Sequence, residues 1–279
     1  MSASEQQPCN IAIRGDSVQL VQITDTHLCS EQGGTLLDMD TDRSLQLVID
    51  RVQQERGAPD ALLLTGDLSD RGSLHAYQRL IHYLDKIPSP DFWLPGNHDD
   101  RREMLTAVEG STRLCGEVQS GPWQIVLLNS QVPGEVGGRL GAAELQRLRD
   151  CLARAQDEDR YVLVCMHHQP VAIGSAWIDQ QMVEDADAFW NLVEDYSAVR
   201  GVLWGHVHQE IDEQRGGIRL MASPSSCVQF APGSEKFKAD DKPPGYRWLE
   251  LAADGSINTG VSRVTDAQFT VDLESGGYL

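Results

Sequence analysis

Polar residues that can bind metal ions follow directly after five apolar runs of this sequence. They are Asp25, His27, Asp67, Asn97, His167, His206 and His208. Asp25 and His27 are two residues apart, so in an extended segment both side chains point to the same side and can reach one ion. Mixed oxygen and nitrogen ligands suit iron, manganese or zinc better than calcium. Seven ligands are too many for one such ion, so they predict two ions that share a carboxylate, for which Asp67 is the candidate.

Each of these motifs has an ordinary alternative when it is taken alone. Asp25-x-His27 is a common chance pairing, Gly66-Asp67 is typical of a turn, and His206-x-His208 can occur at a strand end without a metal. Their joint occurrence, each at the end of its own apolar run, favours a site for two metal ions. Sites of this kind typically catalyse hydrolysis at phosphorus.

The histidine next to Asn97 has a different predicted role. His98 follows the Pro95-Gly96 turn and is not needed as a ligand, and its imidazole can give or take a proton. We therefore expect His98 to be a catalytic general acid that protonates the leaving oxygen. Asp99 is a candidate for orienting His98. His168 could contact substrate or be simply packed, but we favour a hydrogen bond that supports a ligand.

The apolar runs predict the strands that position these residues. Segment 17–24 alternates apolar and polar residues, whereas 61–64 is continuously apolar, as expected for a strand covered on both faces. A helix that Thr41 or Asp42 can cap lies between them, and a second helix over 73–87 leads to a strand at 92–94. The first hundred residues therefore predict a βαβαβ unit with its ligand groups at the carboxyl ends of the strands.

Further elements follow in the second half of the chain. We predict strands at 123–129, 161–166 and 202–204, helices at 142–155 and 184–196, and antiparallel strands at 218–222, 246–251 and 257–261. Segment 233–244 is charged and contains proline, which predicts an exposed loop. No internal repeat or linker divides the sequence, so we expect a single domain over 1–279, with the catalytic motifs in 18–210 and the C-terminal strands and loop in 211–279.

The composition restricts the partners and the location. A net charge of −19 and a pI near 4.7 argue against a nucleic-acid polymer as the partner. The same charge would repel an anionic substrate unless bound metal ions made the site positive. The six cysteines form no Cys-x-x-Cys pair, which predicts buried, reduced thiols. No signal peptide and no apolar stretch of about 18 residues is visible, so we expect a cytoplasmic protein without a membrane partner.

As an ordered set, these motifs resemble the calcineurin-like metallophosphoesterase superfamily. The set is Asp25-x-His27, Gly66-Asp67, Gly96-Asn97-His98-Asp99, His167-His168 and Gly205-His206-x-His208, over about residues 18–210. The resemblance implies an α/β (α+β) fold, a four-layer αββα sandwich of two mixed sheets flanked by helices. It implies one ion on Asp25, His27, Asp67 and His208, and a second on Asp67, Asn97, His167 and His206. It also implies substrate contacts from His27, Asp67, Asn97, His98 and His208.

A narrower resemblance is to the bacterial class III cyclic-AMP phosphodiesterases. It rests on segments 25–28, 223–232 and 244–251. It implies two divalent metal ions per chain, Fe²⁺ or Mn²⁺ before Zn²⁺, and a metal-bridging hydroxide that converts 3′,5′-cyclic AMP to 5′-AMP. It leaves open a monomer or a homodimer.

Two other functions stay open from the sequence. A relative could act on glycerophosphodiesters, other phosphodiesters or phosphoprotein. A noncatalytic scaffold of the same fold should have lost ligands, and this chain has lost none. Neither the role of Cys29, near His27, nor that of the last 20 or so residues follows from the pattern.

Overall fold

The computed structural model describes residues 7–277. Its strands are β1 (Cys9–Asn10), β2 (Ser17–Ile23), β3 (Thr35–Leu36), β4 (Met39–Asp40), β5 (Ala61–Thr65), β6 (Asp91–Leu94), β7 (Glu117–Ser120), β8 (Trp123–Leu127), β9 (Tyr161–Cys165), β10 (Val199–Trp204), β11 (Ile211–Arg215), β12 (Ile218–Ala222), β13 (Gln229–Phe230), β14 (Ala239–Asp240), β15 (Gly245–Ala252) and β16 (Ile257–Arg263). Its helices are α1 (Thr41–Arg56), α2 (Leu74–Leu84), α3 (Arg101–Ala107), α4 (Gly141–Asp157), α5 (Ala176–Asp179) and α6 (Ala186–Val193). Between residues 7 and 277, no helix has the length and apolar character that crossing a membrane requires.

Helix α1 begins one residue earlier than its predicted caps allow. The cap is Asp40, whose carboxylate accepts the N–H of Arg43 at 2.8 Å, rather than Thr41 or Asp42. Both of those residues are buried inside the first turn, where Asp42 binds Arg79 and Tyr83 of α2. The cap prediction was therefore wrong, because Asp42 makes tertiary contacts that its position in the sequence does not reveal.

Two mixed sheets form the centre of the molecule. The five-stranded sheet has the order β16-β15-β2-β5-β6, in which β2, β5 and β6 are parallel, as the βαβαβ pattern predicted. The seven-stranded sheet has the order β1-β7-β8-β9-β10-β12-β11. Strands β8, β9, β10 and β12 run parallel there, so β12 is antiparallel only to β11 and not a member of a fully antiparallel group.

Three apolar cores separate four layers. Along β5, Leu62 and Leu64 face a core shared with α1 and α2, whereas Ala61 and Leu63 face a core shared with the other sheet. This alternation is the two-residue period of a strand. A third core packs α4 and α6 against the outer face of the seven-stranded sheet. The order helix, sheet, sheet, helix confirms the predicted αββα sandwich, and buried faces on both sides explain the continuously apolar strands.

Hydrogen bonds tie the two sheets together where their strands end. The Gln22 side chain donates to Thr65 Oγ1 at 2.6 Å within its own sheet and to the Trp204 carbonyl at 3.0 Å in the other. Beyond the strands, the backbone N–H of Asp25 donates to the Gly66 carbonyl at 3.0 Å, and that of Gly205 to the His167 carbonyl at 3.1 Å. The carboxyl ends of β2, β5, β9 and β10 are thereby fixed at one edge.

Candidate metal centre

The backbone at these strand ends adopts an uncommon conformation. Asp25, His27, Asp67, His206 and His208 have φ angles of 53°, 44°, 51°, 63° and 47°. Positive φ costs a residue other than glycine about 1–3 kcal/mol, and such residues cluster at functional sites. Five of the seven predicted ligands therefore occupy left-handed backbone.

Two glycines allow the strand ends to approach each other. A Cβ on Gly66, which has a φ of 95°, would lie 2.5 Å from His167 Nδ1. A Cβ on Gly96 would overlap Asp67 Oδ1. Any side chain at either position would therefore push apart the segments that carry Asp67 and His167.

One group of ligand atoms comes from the ends of β2 and β10. Nε2 of His208 lies 3.3 Å from Asp25 Oδ1 and 3.2 Å from His27 Nε2. Nδ1 of His208 lies 2.7 Å from the Val228 carbonyl, which can only accept a hydrogen bond. Nδ1 therefore carries the proton of the neutral ring, and the Nε2 lone pair faces Asp25 and His27.

A second group comes from the ends of β6, β9 and β10. Nε2 of His167 lies 3.2 Å from Asn97 Oδ1, while its Nδ1 donates to the Thr65 carbonyl at 2.8 Å. The ring of His206 lies 5.1 Å from that of His167, and its buried Nε2 has no hydrogen-bond partner within the described chain. A buried ring nitrogen without a partner is costly unless something binds it, as a metal ion would.

Asp67 lies between the two groups. Its Oδ2 is 3.3 Å from His167 Nε2 and 3.8 Å from His27 Nε2. Burial would raise the pKa of Asp67, but the surrounding imidazoles, His167 foremost, hold it well below its usual range. Burial lowers the pKa of His167, and the Asp67 carboxylate reverses this and raises it to about 9. Asp67 is thus an anion within reach of both groups, as a shared ligand must be.

The assembled donors fit a two-metal site. The ligand atoms of Asp25, His27 and His208 all lie within 4.8 Å of one another, and so do those of Asp25, Asp67 and His167. Carboxylates with imidazole nitrogens, together with the orphaned Nε2 of His206, are a donor set typical of transition metals. Burial lowers the pKa of both His27 and His206 well below the ordinary value, which keeps their rings neutral.

His98 lies at the outer edge of this centre. Its side chain is 10% exposed, whereas those of His27, His167 and His208 are fully buried. Its Nδ1 donates to the Asp70 carbonyl at 2.9 Å. Burial lowers the pKa of His98, but Asp67 and the Asp70 carbonyl outweigh it, so this pKa lies above its usual value. His98 therefore keeps a proton to higher pH than an ordinary histidine, beside the two groups.

The carboxylate beside His98 is Asp70, which sequence reasoning missed. Its Oδ1 lies 4.0 Å from His98 Nδ1 and 3.9 Å from His27 Nδ1. Asp99, the candidate for that role, instead accepts hydrogen bonds from the Leu68, Ser69 and Gly96 N–H groups and from the Tyr77 hydroxyl. Asp70 could have been found from its place three residues after Asp67, in the same turn.

Comparisons with known proteins agree with this arrangement. The family model for calcineurin-like phosphoesterases matches residues 18–210. The chain belongs to this family. Among its relatives, a Pseudomonas aeruginosa protein named 3′,5′-cyclic adenosine monophosphate phosphodiesterase CpdA is 47% identical over 94% of this chain and 96% of its own length. An Escherichia coli protein of the same name is 38% identical over 94% and 95%.

Solved structures with the same fold are more distant in sequence. A dimetal phosphatase from Danio rerio superposes with a TM-score of 0.66 at 15% identity, over 93% of this chain and all of the other. A purple acid phosphatase from yellow lupin gives 0.63 at 14% identity, over 92% of this chain and 53% of the other. These likenesses support the four-layer fold.

In this phosphoesterase fold, His168 has both ring nitrogens engaged. Nε2 donates to the Val136 carbonyl at 3.1 Å, and Nδ1 faces the Ser130 hydroxyl at 2.8 Å. Its ring packs against those of His167 and His206, with which it forms a group of possible ligand atoms, but both of its nitrogens already have hydrogen-bond partners. Cys29 Sγ approaches the Thr35 carbonyl at 3.8 Å and belongs to none of the ligand groups within residues 7–277.

Proposed function

We propose that this protein hydrolyses 3′,5′-cyclic AMP to 5′-AMP with two bound divalent metal ions. The observation that carries the proposal is the position of Asp67 Oδ2, within 4 Å of imidazole nitrogens from both ligand groups. The choice of substrate is supported by relatives named cyclic-AMP phosphodiesterases that match the chain over 94% of its length.

Seven residues would hold the two ions. The first ion is assigned to Asp25, His27, Asp67 and His208, and the second to Asp67, Asn97, His167 and His206. Fe²⁺ or Mn²⁺ is proposed before Zn²⁺ on the resemblance to the class III cyclic-AMP phosphodiesterases, since mixed nitrogen and oxygen donors suit all three. When bound, such ions activate water as the nucleophile and neutralise charge that develops on the phosphoryl oxygens.

His98 is proposed to protonate the ribose oxygen that leaves when the cyclic ester opens. With Nδ1 held by the Asp70 carbonyl, Nε2 is the nitrogen that would deliver the proton. The raised pKa of His98 supports this role, because a general acid must be protonated at the working pH. The backbone N–H of His98 donates to Asp67 and so keeps the acid beside the shared ligand. The residues also proposed to contact the substrate are His27, Asp67, Asn97, His98 and His208.

The proposal includes the domain organisation and the partners of the protein. We propose that the protein is a single metallophosphoesterase domain over 1–279, a monomer or homodimer, with no nucleic-acid polymer or membrane as a partner. All six cysteines are free thiols, four of them buried and Cys9 and Cys29 partly exposed. Free thiols are usual in a reducing compartment, which supports the cytoplasm as its location.

A substrate panel tests the proposal. Protein loaded with Fe²⁺, Mn²⁺ or Zn²⁺ is assayed with cyclic AMP, cyclic GMP, bis-p-nitrophenyl phosphate and glycerophosphocholine, and Asp67→Ala protein is the negative control. We expect the highest kcat/KM on a cyclic nucleotide and 5′-AMP as the product of cyclic AMP. A higher kcat/KM on glycerophosphocholine would favour the alternative, a glycerophosphodiesterase. No hydrolysis of any ester by protein with two ions bound would favour a scaffold.

A further inference from the structure

The ring of Phe230 lies face to face on the ring of His208. Their centroids are 3.9 Å apart and their planes differ by 5°. The same short segment touches His208 in two other ways. The Val228 carbonyl binds its Nδ1 at 2.7 Å, and the backbone N–H of Phe230 reaches the His208 carbonyl at 3.4 Å. His208 is thus held at an edge, at a face and at its backbone by residues 228–230.

We propose that Phe230 is a positioning residue that fixes the plane of the His208 imidazole for metal binding. The χ2 torsion of histidine has broad energy wells, so the ring can rock. A hydrogen bond at Nδ1 fixes the tautomer and one edge, but it permits rocking about the bond. A parallel ring at van der Waals distance blocks that motion and keeps Nε2 directed at Asp25, 3.3 Å away. Ligands bind ions well only when held within a narrow range of angles.

Phe230 is itself held in place by two aromatic side chains. Its ring meets Trp177 edge-on at 5.2 Å and Phe237 edge-on at 5.4 Å. Trp177 is fixed in turn by a hydrogen bond from its Nε1 to Ser234 Oγ at 3.1 Å. The Phe230 side chain is fully buried, so its ring has little room to move away from His208.

The proposed effect is confined to one of the two ligand groups. His167 and His206 pack against the ring of His168, at centroid distances of 4.8 and 4.7 Å, and not in the parallel stack that Phe230 forms. Loss of the Phe230 ring should therefore weaken binding of the ion assigned to His208 and leave binding of the other ion unchanged. The inference rests on the proposed two-metal function, because it takes His208 as a ligand.

The experiment measures the affinity of each ion separately. Full-length protein loaded with Mn²⁺ is titrated with a competing chelator, and electron paramagnetic resonance distinguishes a spin-coupled ion pair from a single ion. In Phe230→Leu we expect one ion to bind about 10–100-fold more weakly, the usual effect of losing a group that orients a ligand. The second ion should keep its affinity within about threefold, so that the single-ion signal appears at lower chelator concentration. Phe230→Tyr retains a stacked ring and should behave as the wild type.

Phe189→Leu is the matched control. Phe189 is a fully buried phenylalanine that packs edge-on against Trp190 in the core outside the seven-stranded sheet. The variant creates a similar cavity in the core that also contains Phe230, without removing the ring that stacks on His208, and should leave both affinities unchanged. Wild-type affinity for both ions in Phe230→Leu, or an equal loss of both, would overturn the proposal.

Two further outcomes are also decisive. If Phe230→Leu does not fold, Phe230→Met replaces it, and failure of both to fold would mean that Phe230 serves folding and that the proposal is wrong. A wild-type protein that binds one ion would instead refute the proposed two-metal function. The two failures are therefore distinguishable.

Discussion

The backbone N–H of His98 donates a hydrogen bond of 2.9 Å to Oδ1 of Asp67. One carboxylate oxygen is thereby committed to the loop that carries the proposed acid, and Oδ2 is left facing His167 and His27. This contact thus holds the proposed shared ligand and the proposed proton donor next to each other. A change at Asp67 should disturb both ion binding and the placement of His98.

The first prediction concerns Asp67→Ala. Because Asp67 is the shared carboxylate, its removal should lower metal content from about two ions per chain to none at micromolar free metal, measured by elemental analysis. Asp60→Ala is the control, because Asp60 is equally buried but lies before β5 and binds the N–H groups of Arg14 and Gln19. That variant should lose stability and keep both ions. Retention of one tightly bound ion by Asp67→Ala would contradict the shared-ligand assignment.

The second prediction concerns His98→Ala. Loss of a general acid should lower kcat on cyclic AMP by about 10²–10⁴-fold while both ions stay bound. On a p-nitrophenyl ester the loss should be much smaller, because nitrophenolate leaves without a proton. A residue that only binds substrate would affect both esters alike. Equal losses on the two esters, or loss of metal from the variant, would show that His98 does not act as the acid.

The sequence was enough to predict the strand ends but not the contacts between them. Apolar runs before Asp25 and Asp67 indicate buried parallel strands, whose carboxyl ends lie at one edge of a sheet. The run before His167 forms a strand of the other sheet. The hydrogen bond from His206 N–H to the Asp25 carboxylate joins residues 181 positions apart, and it depends on how two sheets pack. Periodicity carries no information on that packing.

Contacts made through backbone carbonyls could also not be predicted from the sequence pattern. The Asp70 carbonyl binds His98, and the Val228 carbonyl binds His208, so the residue types give no hint of either interaction. Phe230 belongs to a two-residue strand whose apolar character indicates only burial. Such supporting residues follow from tertiary structure, whereas ligands are recognisable by type.

The third prediction concerns the pH dependence of Asp70→Asn. Asp70 helps to raise the pKa of His98, and a raised pKa keeps the acid protonated to higher pH. Since kcat on cyclic AMP should fall as pH rises through that pKa, removal of the Asp70 charge should move the fall to lower pH. The measurement is the pH profile of kcat at saturating metal.

Asp100→Asn is the control for this pH shift. Asp100 is two residues from His98, but its carboxylate caps α3 through the Arg102 and Glu103 N–H groups. Its profile should match the wild type, and so should that of Asp70→Asn on a p-nitrophenyl ester. An unchanged profile of Asp70→Asn on cyclic AMP would show that Asp70 does not tune His98.

The last prediction concerns the segment after β16, whose role the sequence left open. Arg43 donates to the Gln268 carbonyl at 2.9 Å and lies over the Phe269 ring at 5.5 Å, and the Asp272 N–H binds the Leu37 carbonyl at 2.9 Å. Phe269 packs against the core of α1 and against the cluster that contains Val228. The segment is therefore part of the packed fold on the side of α1.

Phe269→Ala should consequently destabilise the protein. Phe269 is only partly buried, so its replacement should cost less than that of a core phenylalanine. We expect the free energy of unfolding to fall by about 1–3 kcal/mol. For a chain of this size that lowers Tm by roughly 2–10 °C, measured by thermal unfolding with metal in excess. Leu273→Ala is the control, because Leu273 is 44% exposed just beyond the packed segment, and its Tm should not change. An unchanged Tm in Phe269→Ala would show that the segment merely rests on α1 without stabilising it.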